Sequence, residues 1–299
     1  MKVSKIAMQL ITSGLFAMAL GTAQAANVST TVSYDTAGLD HTSWLVPATA
    51  TSTGTNETWI DTKDLPPIPG PGYDLRHTTY MSMGAWANER SELSASVRDL
   101  RAGGIATSSA NWSDSFVNNS GNSQNYKFNL SLLGMTAHMG GWTGNLARRD
   151  YQAGFVADVL VNGVSVWRSA QTFNYQAGLA SVVKSGFDLG DAVIYADGDE
   201  HRPVFFALDS YAGQVDLGTF ATGQSADVSY TISSFARWSD PEGCSYECGS
   251  IGVNIFDNRG AIGQRIVSAP VPEPESYAML LGGLGLIGAI ARRRMAAAK

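Results

Sequence analysis

Residues 154–170 read GFVADVLVNGVSVWRSA, a run of apolar residues interrupted at its centre by Asn162-Gly163. That pair is the two-residue connection favoured for a type I′ turn, because both central positions need positive φ. A hairpin closed there sets Val161 opposite Val164 and Val159 opposite Val166. It predicts one core-facing row made of Phe155, Val159, Val161, Val164 and Val166.

The same period of two recurs on both sides of the hairpin. In YKFNLSLL, residues 126–133, Tyr126, Phe128, Leu130 and Leu132 fall on one face, with Lys127, Asn129 and Ser131 on a wet one. Downstream come PVFFALDSY, QVDLGTFATG and ADVSYTISSFARW, the last with Val228, Tyr230 and Ile232 alternating against Asp227, Ser229 and Thr231. Short strands at this spacing, with no long amphipathic helix between them, predict an all-β antiparallel sandwich of jelly-roll type. A mixed α+β domain is the alternative. No repeat at about 20–50 residues supports a solenoid or propeller. Residues 49–72 differ: they are polar, then contain Pro66, Pro67, Pro69 and Pro71, and are predicted to be a loop or linker.

The chain has 299 residues, 44% of them hydrophobic, enough to bury a core without disulfides or metal. Charged residues are 15%, against roughly 25% in ordinary globular proteins, a balance typical of exported β-rich proteins. The formal net charge is −6, from 20 basic and 26 acidic residues. Setting aside Lys2, Lys5, Arg292, Arg293, Arg294, Lys299, Glu273 and Glu275 leaves 14 basic and 24 acidic residues, a body of net charge −10. Such a body is repelled by nucleic acid and by anionic lipid, so no nucleic-acid partner is expected.

The N-terminus has the three parts of a secretory signal peptide over residues 1–25. MKVSK is basic, residues 6–20 are apolar, and Ala23-Gln24-Ala25 supplies the small-x-small cleavage signature, so the mature chain is expected to start at Ala26. No twin arginine is present in this segment, which favours the general secretory route. A retained signal anchor is the alternative. Cys244 and Cys248 stand four positions apart, and in an exported chain a local disulfide is expected in preference to free thiols. A zinc site would need further thiols or imidazoles, and no histidine lies near in sequence.

Signals for chemistry are sparse. Asp197, Asp199 and Glu200 are a candidate calcium site beside Asp188 and Asp191, although the full twelve-residue calcium loop is missing and a solvated acidic turn is the plainer reading. No other cofactor is expected. His41, His77, His138 and His201 are scattered, and no nucleophile elbow, phosphate-binding glycine loop or dinucleotide fingerprint occurs. Asp209-Ser210 near His201 reads as a turn, not a triad. Glu89, Glu92 and Glu200 are the carboxylates a glycosidase reading would nominate. Trp44, Trp59, Trp86, Trp112, Trp142, Trp167 and Trp238 spread through the body; they are core residues or platforms for sugar rings.

The chain closes with VPEPESYAMLLGGLGLIGAIARRR at 271–294, followed by MAAAK. Residues 277–291 lack charge and would make a helix of about 22 Å, shorter than the roughly 30 Å hydrocarbon core. Arg292, Arg293 and Arg294 would stay cytoplasmic with the body outside. Pro272 and Pro274 keep the preceding segment extended. A plain single-pass anchor and a lipid-anchor signal are the rivals; the first is weakened by the short span, the second by the basic end. The three parts in this order resemble the PEP-CTERM sorting signal. That resemblance implies an exosortase, a membrane protease or transpeptidase, as processing partner. It makes Pro272, Glu273 and Pro274 recognition residues, 277–291 a transient inner-membrane helix, and Arg292, Arg293 and Arg294 the stop. It also implies a Gram-negative bacterium, and association with exopolysaccharide and biofilm. MAAAK runs further past the arginines than such tails usually do.

The expectation is therefore a signal peptide at 1–25, a β-sandwich body at 26–270 and a sorting region at 271–299, with its motif at 271–274. The body is expected to be a non-enzymatic surface or matrix protein and a candidate carbohydrate binder. The alternative is a secreted carbohydrate-active hydrolase or lyase with the same tail.

Overall fold

The computed structural model describes residues 26–35, 48–53, 57–61, 81–88, 92–100, 104–140, 150–176, 178–196, 203–239, 250–258 and 264–270, with Leu284 and Ile287 as isolated helical positions. The strands run in the order β1 (Asn27–Asp35), β2 (Ala48–Thr53), β3 (Glu57–Asp61), β4 (Met81–Ala87), β5 (Leu93–Leu100), β6 (Gly104–Val117), β7 (Gln124–Gly140) and β8 (Asp150–Val161). They continue as β9 (Val164–Gln176), β10 (Leu179–Gly186), β11 (Val193–Tyr195), β12 (Val204–Ala207), β13 (Tyr211–Phe220), β14 (Ser225–Ser239), β15 (Ser250–Asp257) and β16 (Ile266–Pro270).

One sheet has the order β10-β9-β8-β14-β6-β1-β2, and the other β11-β12-β7-β15-β5-β4-β3, with β13 and β16 also paired to β7. Every pairing is antiparallel. The sheets pack face to face through β1, β4, β5, β6, β14 and β15, as the all-β sandwich reading requires. The core between them interleaves aromatic residues (Tyr34, Phe128, Phe155, Phe173, Tyr230) with alanines (Ala85, Ala95, Ala106, Ala153, Ala236), so large side chains from one sheet meet small ones from the other. Some inward polar residues pair there: Thr30 and Thr58 join hydroxyls at 2.5 Å across the sheets, and Ser108 and Ser234 at 3.0 Å within one.

The central hairpin forms as its sequence dictates, with Asn162 at φ 50° and Gly163 at φ 79°. Val161 opposes Val164, and Phe155, Val159 and Val161 are buried. The other half of the expected row is wrong. The register shifts between Val159 and Leu160, so Val159 opposes Trp167 and the bulge takes Val166 out of the alternation. Val164 at the tip is 66% exposed and Val166 is 42% exposed.

Two further expectations need correction. The wet face drawn for 126–132 is wet only at Lys127, because Asn129 and Ser131 are buried. The end of β15 and the residues just ahead of β16 meet them: Asn129 Nδ2 donates to Gln264 O at 2.9 Å, and Ser131 N donates to Asp257 Oδ2 at 3.2 Å. Secondly, residues 49–72 are not simply a loop, since β2 and β3 occupy 48–53 and 57–61. Alternating threonine suits a pleated surface, and β2 is polar because it is the edge strand of its sheet. The four prolines lie outside the described residues.

Candidate functional site

Asp257 ends β15, and eight residues later Arg265 precedes β16. Both side chains are buried, and Arg265 donates to Asp257 Oδ1 at 3.1 Å. The other carboxylate oxygen accepts from Tyr230 Oη–H at 2.8 Å and from the Ser131 amide. The guanidinium carbon lies 5.1 Å from the Tyr230 ring centroid, 5.6 Å from Phe128 and 5.9 Å from Trp112. Asn129 N donates to Arg265 O at 2.7 Å, so side chain and backbone are both held. β16 then pairs with the first residues of β7, from Ile266 opposite Phe128 to Pro270 opposite Gln124. The described chain leaves the body there, beside stacked Phe116 and Tyr126.

Burial, and secondarily the Asp257 charge, push the Tyr230 phenol well above its ordinary value of 10.0. Tyr230 therefore stays protonated in the fold at pH values where it ionises in the unfolded chain. Its contribution is complete below about pH 10 and is lost as pH rises beyond that. In urea titrations, stability is expected to fall above about pH 10, and less steeply in Tyr230→Phe, which forgoes the hydrogen bond at every pH. Equal alkaline slopes in the two proteins would assign the loss to other groups.

A second site lies on the outer face of the β12-β7-β15-β5-β4 portion of the other sheet, where the registers stack three rungs of side chains. Phe205, His138, Gly252 and Arg98 make the first. Thr136, Asn254, Ser96 and Gly84 make the second. Phe256, Ser94 and Trp86 make the third. The polar middle rung is the floor of a groove of about 300 Å³. One wall is Trp86, backed by Phe256 with ring centroids 5.6 Å apart, and the other is His138, backed by Phe205 at 6.2 Å. Four residues along β15 separate the walls, about 13–14 Å.

Glycine makes this groove possible. A Cβ at Gly252 would meet His138 Cε1 at 2.2 Å and the Arg98 carbonyl at 2.7 Å, so the imidazole lies directly on the backbone. Burial holds His138 below the ordinary imidazole value, which leaves a neutral ring with one donor and one acceptor. Asn254 Nδ2 donates to Gly134 O at 3.3 Å, and Ser96 Oγ donates to Gly84 O at 3.3 Å, fixing the floor.

Of the residues singled out from sequence, Ala26 is half-buried against the core just ahead of β1. Ala23, Ala25, Cys244, Cys248, Asp197, Asp199, Glu200, Pro272, Glu273, Pro274, Arg292, Arg293 and Arg294 lie outside the described residues. So do His41, His77, His201 and Glu89, and the helix expected at 277–291 apart from two positions. Among the described residues no helix is long and apolar enough to cross a membrane, and no cluster of three His, Cys, Asp or Glu could hold a metal ion. Asp188 and Asp191 instead take Lys184 at 2.9 and 2.6 Å. Glu92 closes the β4–β5 turn, its amide donating to Asn88 Oδ1 at 3.0 Å. Trp112 is core and Trp167 half-buried, while half-buried Trp86 lines the groove. Sequence reasoning missed His138, Gly84 and Gly252 as a set, and Arg265 with Asp257. The available signals were isolated glycines inside strand patterns, as in MSMGAWA and SIGVNIF.

Residues 270–294 match the PEP-CTERM protein-sorting motif. No curated protein matches the chain. The motif begins on Pro270, the residue that ends β16, so the sorting signal starts where the body stops. The chain is thus an exported, membrane-transiting protein that carries an exosortase sorting signal directed to the cell surface.

Proposed function

We propose that this exosortase-sorted chain delivers a carbohydrate-binding β-sandwich to the outer surface or extracellular matrix of a Gram-negative bacterium, where it associates with exopolysaccharide in a biofilm. The body acts by binding, without catalysis and without a cofactor. The groove of Trp86 and His138, backed by Phe256 and Phe205, over Thr136, Asn254, Ser96 and Gly84 is the observation that supports this reading. Apolar ring faces suit the C–H faces of a pyranose, and hydroxyl, amide and imidazole groups between them suit its equatorial hydroxyls. Walls about 13–14 Å apart leave room for a sugar chain lying across the strands.

The test is a glycan array, followed by calorimetry with the host's own exopolysaccharide. Trp86→Ala is expected to weaken binding at least about tenfold, the order of one lost aromatic contact, and to leave the melting temperature within a few degrees. An array with no hits, or full affinity in Trp86→Ala, removes the groove from the account. Release of reducing or unsaturated ends from the polysaccharide would instead make the body a hydrolase or lyase.

A further inference from the structure

The strand registers put both ends of the body at one end of the sandwich. Asn27 opposes Ser113 near the end of β6, whose last residue Val117 opposes Ser225. The turn at Asn162 reaches the same place, since Asp227 N donates to Asn162 Oδ1 at 2.9 Å. Residues 118–123 join β6 to β7 there, and Pro270 opposes Gln124 at the start of β7. Ala26, the expected mature N-terminus, and the start of the sorting motif therefore share one end face. From Pro270 to the apolar segment at 277 there are six residues, a reach of roughly 20 Å when extended. An inserted tail confines that end face to within this distance of the bilayer, while strands such as β6 carry the other end about 45 Å further away.

The same end carries apolar side chains that the core leaves unused: Val117 at 48%, Val164 at 66% and Val166 at 42% exposure. Val117 ends β6 and Val164 begins β9, with two strands between them in the same sheet, and Val164 and Val166 belong to the β8–β9 hairpin, whose tip is level with Ser115 and Asp227. Among the described residues, the charged groups towards this end are Asp114, Lys127, Asp158 with Arg168, Asp216 and Asp227. Their balance is acidic, which disfavours anionic headgroups and leaves a neutral, shallow apolar contact.

We infer that, while the sorting tail is inserted, the body stands end-on, with the β8–β9 hairpin tip and Val117 resting on the zwitterionic phospholipid surface. This inference rests on the tail acting as a membrane segment. It gives Val164 and Val166 a use for the hydrophobicity that the bulge removes from the core.

The test uses the full chain in vesicles of phosphatidylethanolamine and phosphatidylcholine. Nitroxide labels are placed singly at Val164→Cys, Leu179→Cys and Leu284→Cys, with Cys244 and Cys248 replaced by serine. Leu179 is 75% exposed and begins β10 opposite Gln176, at the far end. The expected result is a label at 284 in hydrocarbon, a label at 164 at the interface with an oxygen-to-nickel accessibility ratio several-fold above that at 179, and a label at 179 in water. A label at 284 in hydrocarbon with 164 as aqueous as 179 overturns the inference, whether the tip is free or is reserved for exosortase. A label at 284 in water refutes the membrane reading of the tail instead. Because the serine substitutions could disturb the fold, amide exchange on the unsubstituted chain gives a second readout. Added vesicles are expected to slow exchange at 162–166 and not at 179–183, and unchanged exchange at both overturns the inference.

Discussion

Replacement of Asp257 by alanine is expected to cost about 3–5 kcal/mol of folding stability. The change removes the Asp257 carboxylate from Arg265, which lies among the rings of Tyr230, Phe128 and Trp112, and takes from the Tyr230 hydroxyl its acceptor at Asp257. A buried charge without its partner is far more costly than a pair that was never there, so the double variant Asp257→Leu, Arg265→Met is expected to recover most of the loss. Urea denaturation with a two-state fit measures both. A single variant within about 1 kcal/mol of the parent would mean that the pair is solvated and that the anchor ahead of β16 lies elsewhere.

Conversion of Pro272, Glu273 and Pro274 to alanine is expected to abolish tail processing in cells with active exosortase, changing the product from a released surface form to a membrane-retained one. Alanine removes the bar to helix that two prolines impose on this segment and on the residues before them, so the expected helix at 277–291 would be free to extend backwards through it. Intact-mass analysis of the membrane and extracellular fractions reads the outcome. The variant should keep every residue through Lys299, while the parent loses the tail. Recovery of the parent with its tail intact, or of the variant with its tail removed, would show that Pro272, Glu273 and Pro274 do not direct processing in this chain.

Where a single strand carried its own information, the fold could be read. The alternation of Val228, Tyr230 and Ile232 reports burial directly, and Asn162-Gly163 specifies its turn through the φ values that it permits. What failed depended on two strands at once. The core face of β7 changes from Phe128, Leu130 and Leu132 to Met135, Ala137 and Met139, because Gly134 at φ 57° inserts an irregularity against β15. A phase change of this kind looks in sequence like a run of apolar residues with one glycine. The bulge that exposes Val166 and the edge position that permits a polar β2 are likewise set by partners. The sorting motif was legible because it is contiguous and must be recognised as a chain segment. The groove was not, since each rung draws its side chains from three or more strands far apart in sequence.

β16 is also a mechanical coupling. It runs outward, so tension on the tail acts along the strand and loads its hydrogen bonds to β7 together in shear, without unzipping them one by one. Its ladder has five residue pairs, whereas β1, which points to the same end, has nine with β6 and six more with β2. Under a pull from the membrane side, β16 is the part that slips first, and the Arg265–Asp257 pair behind it stops the slip before it reaches the sheets. The body is hung from a short strand and locked just above it, so a tug on the tail draws out a few residues of slack and leaves the sandwich unstretched.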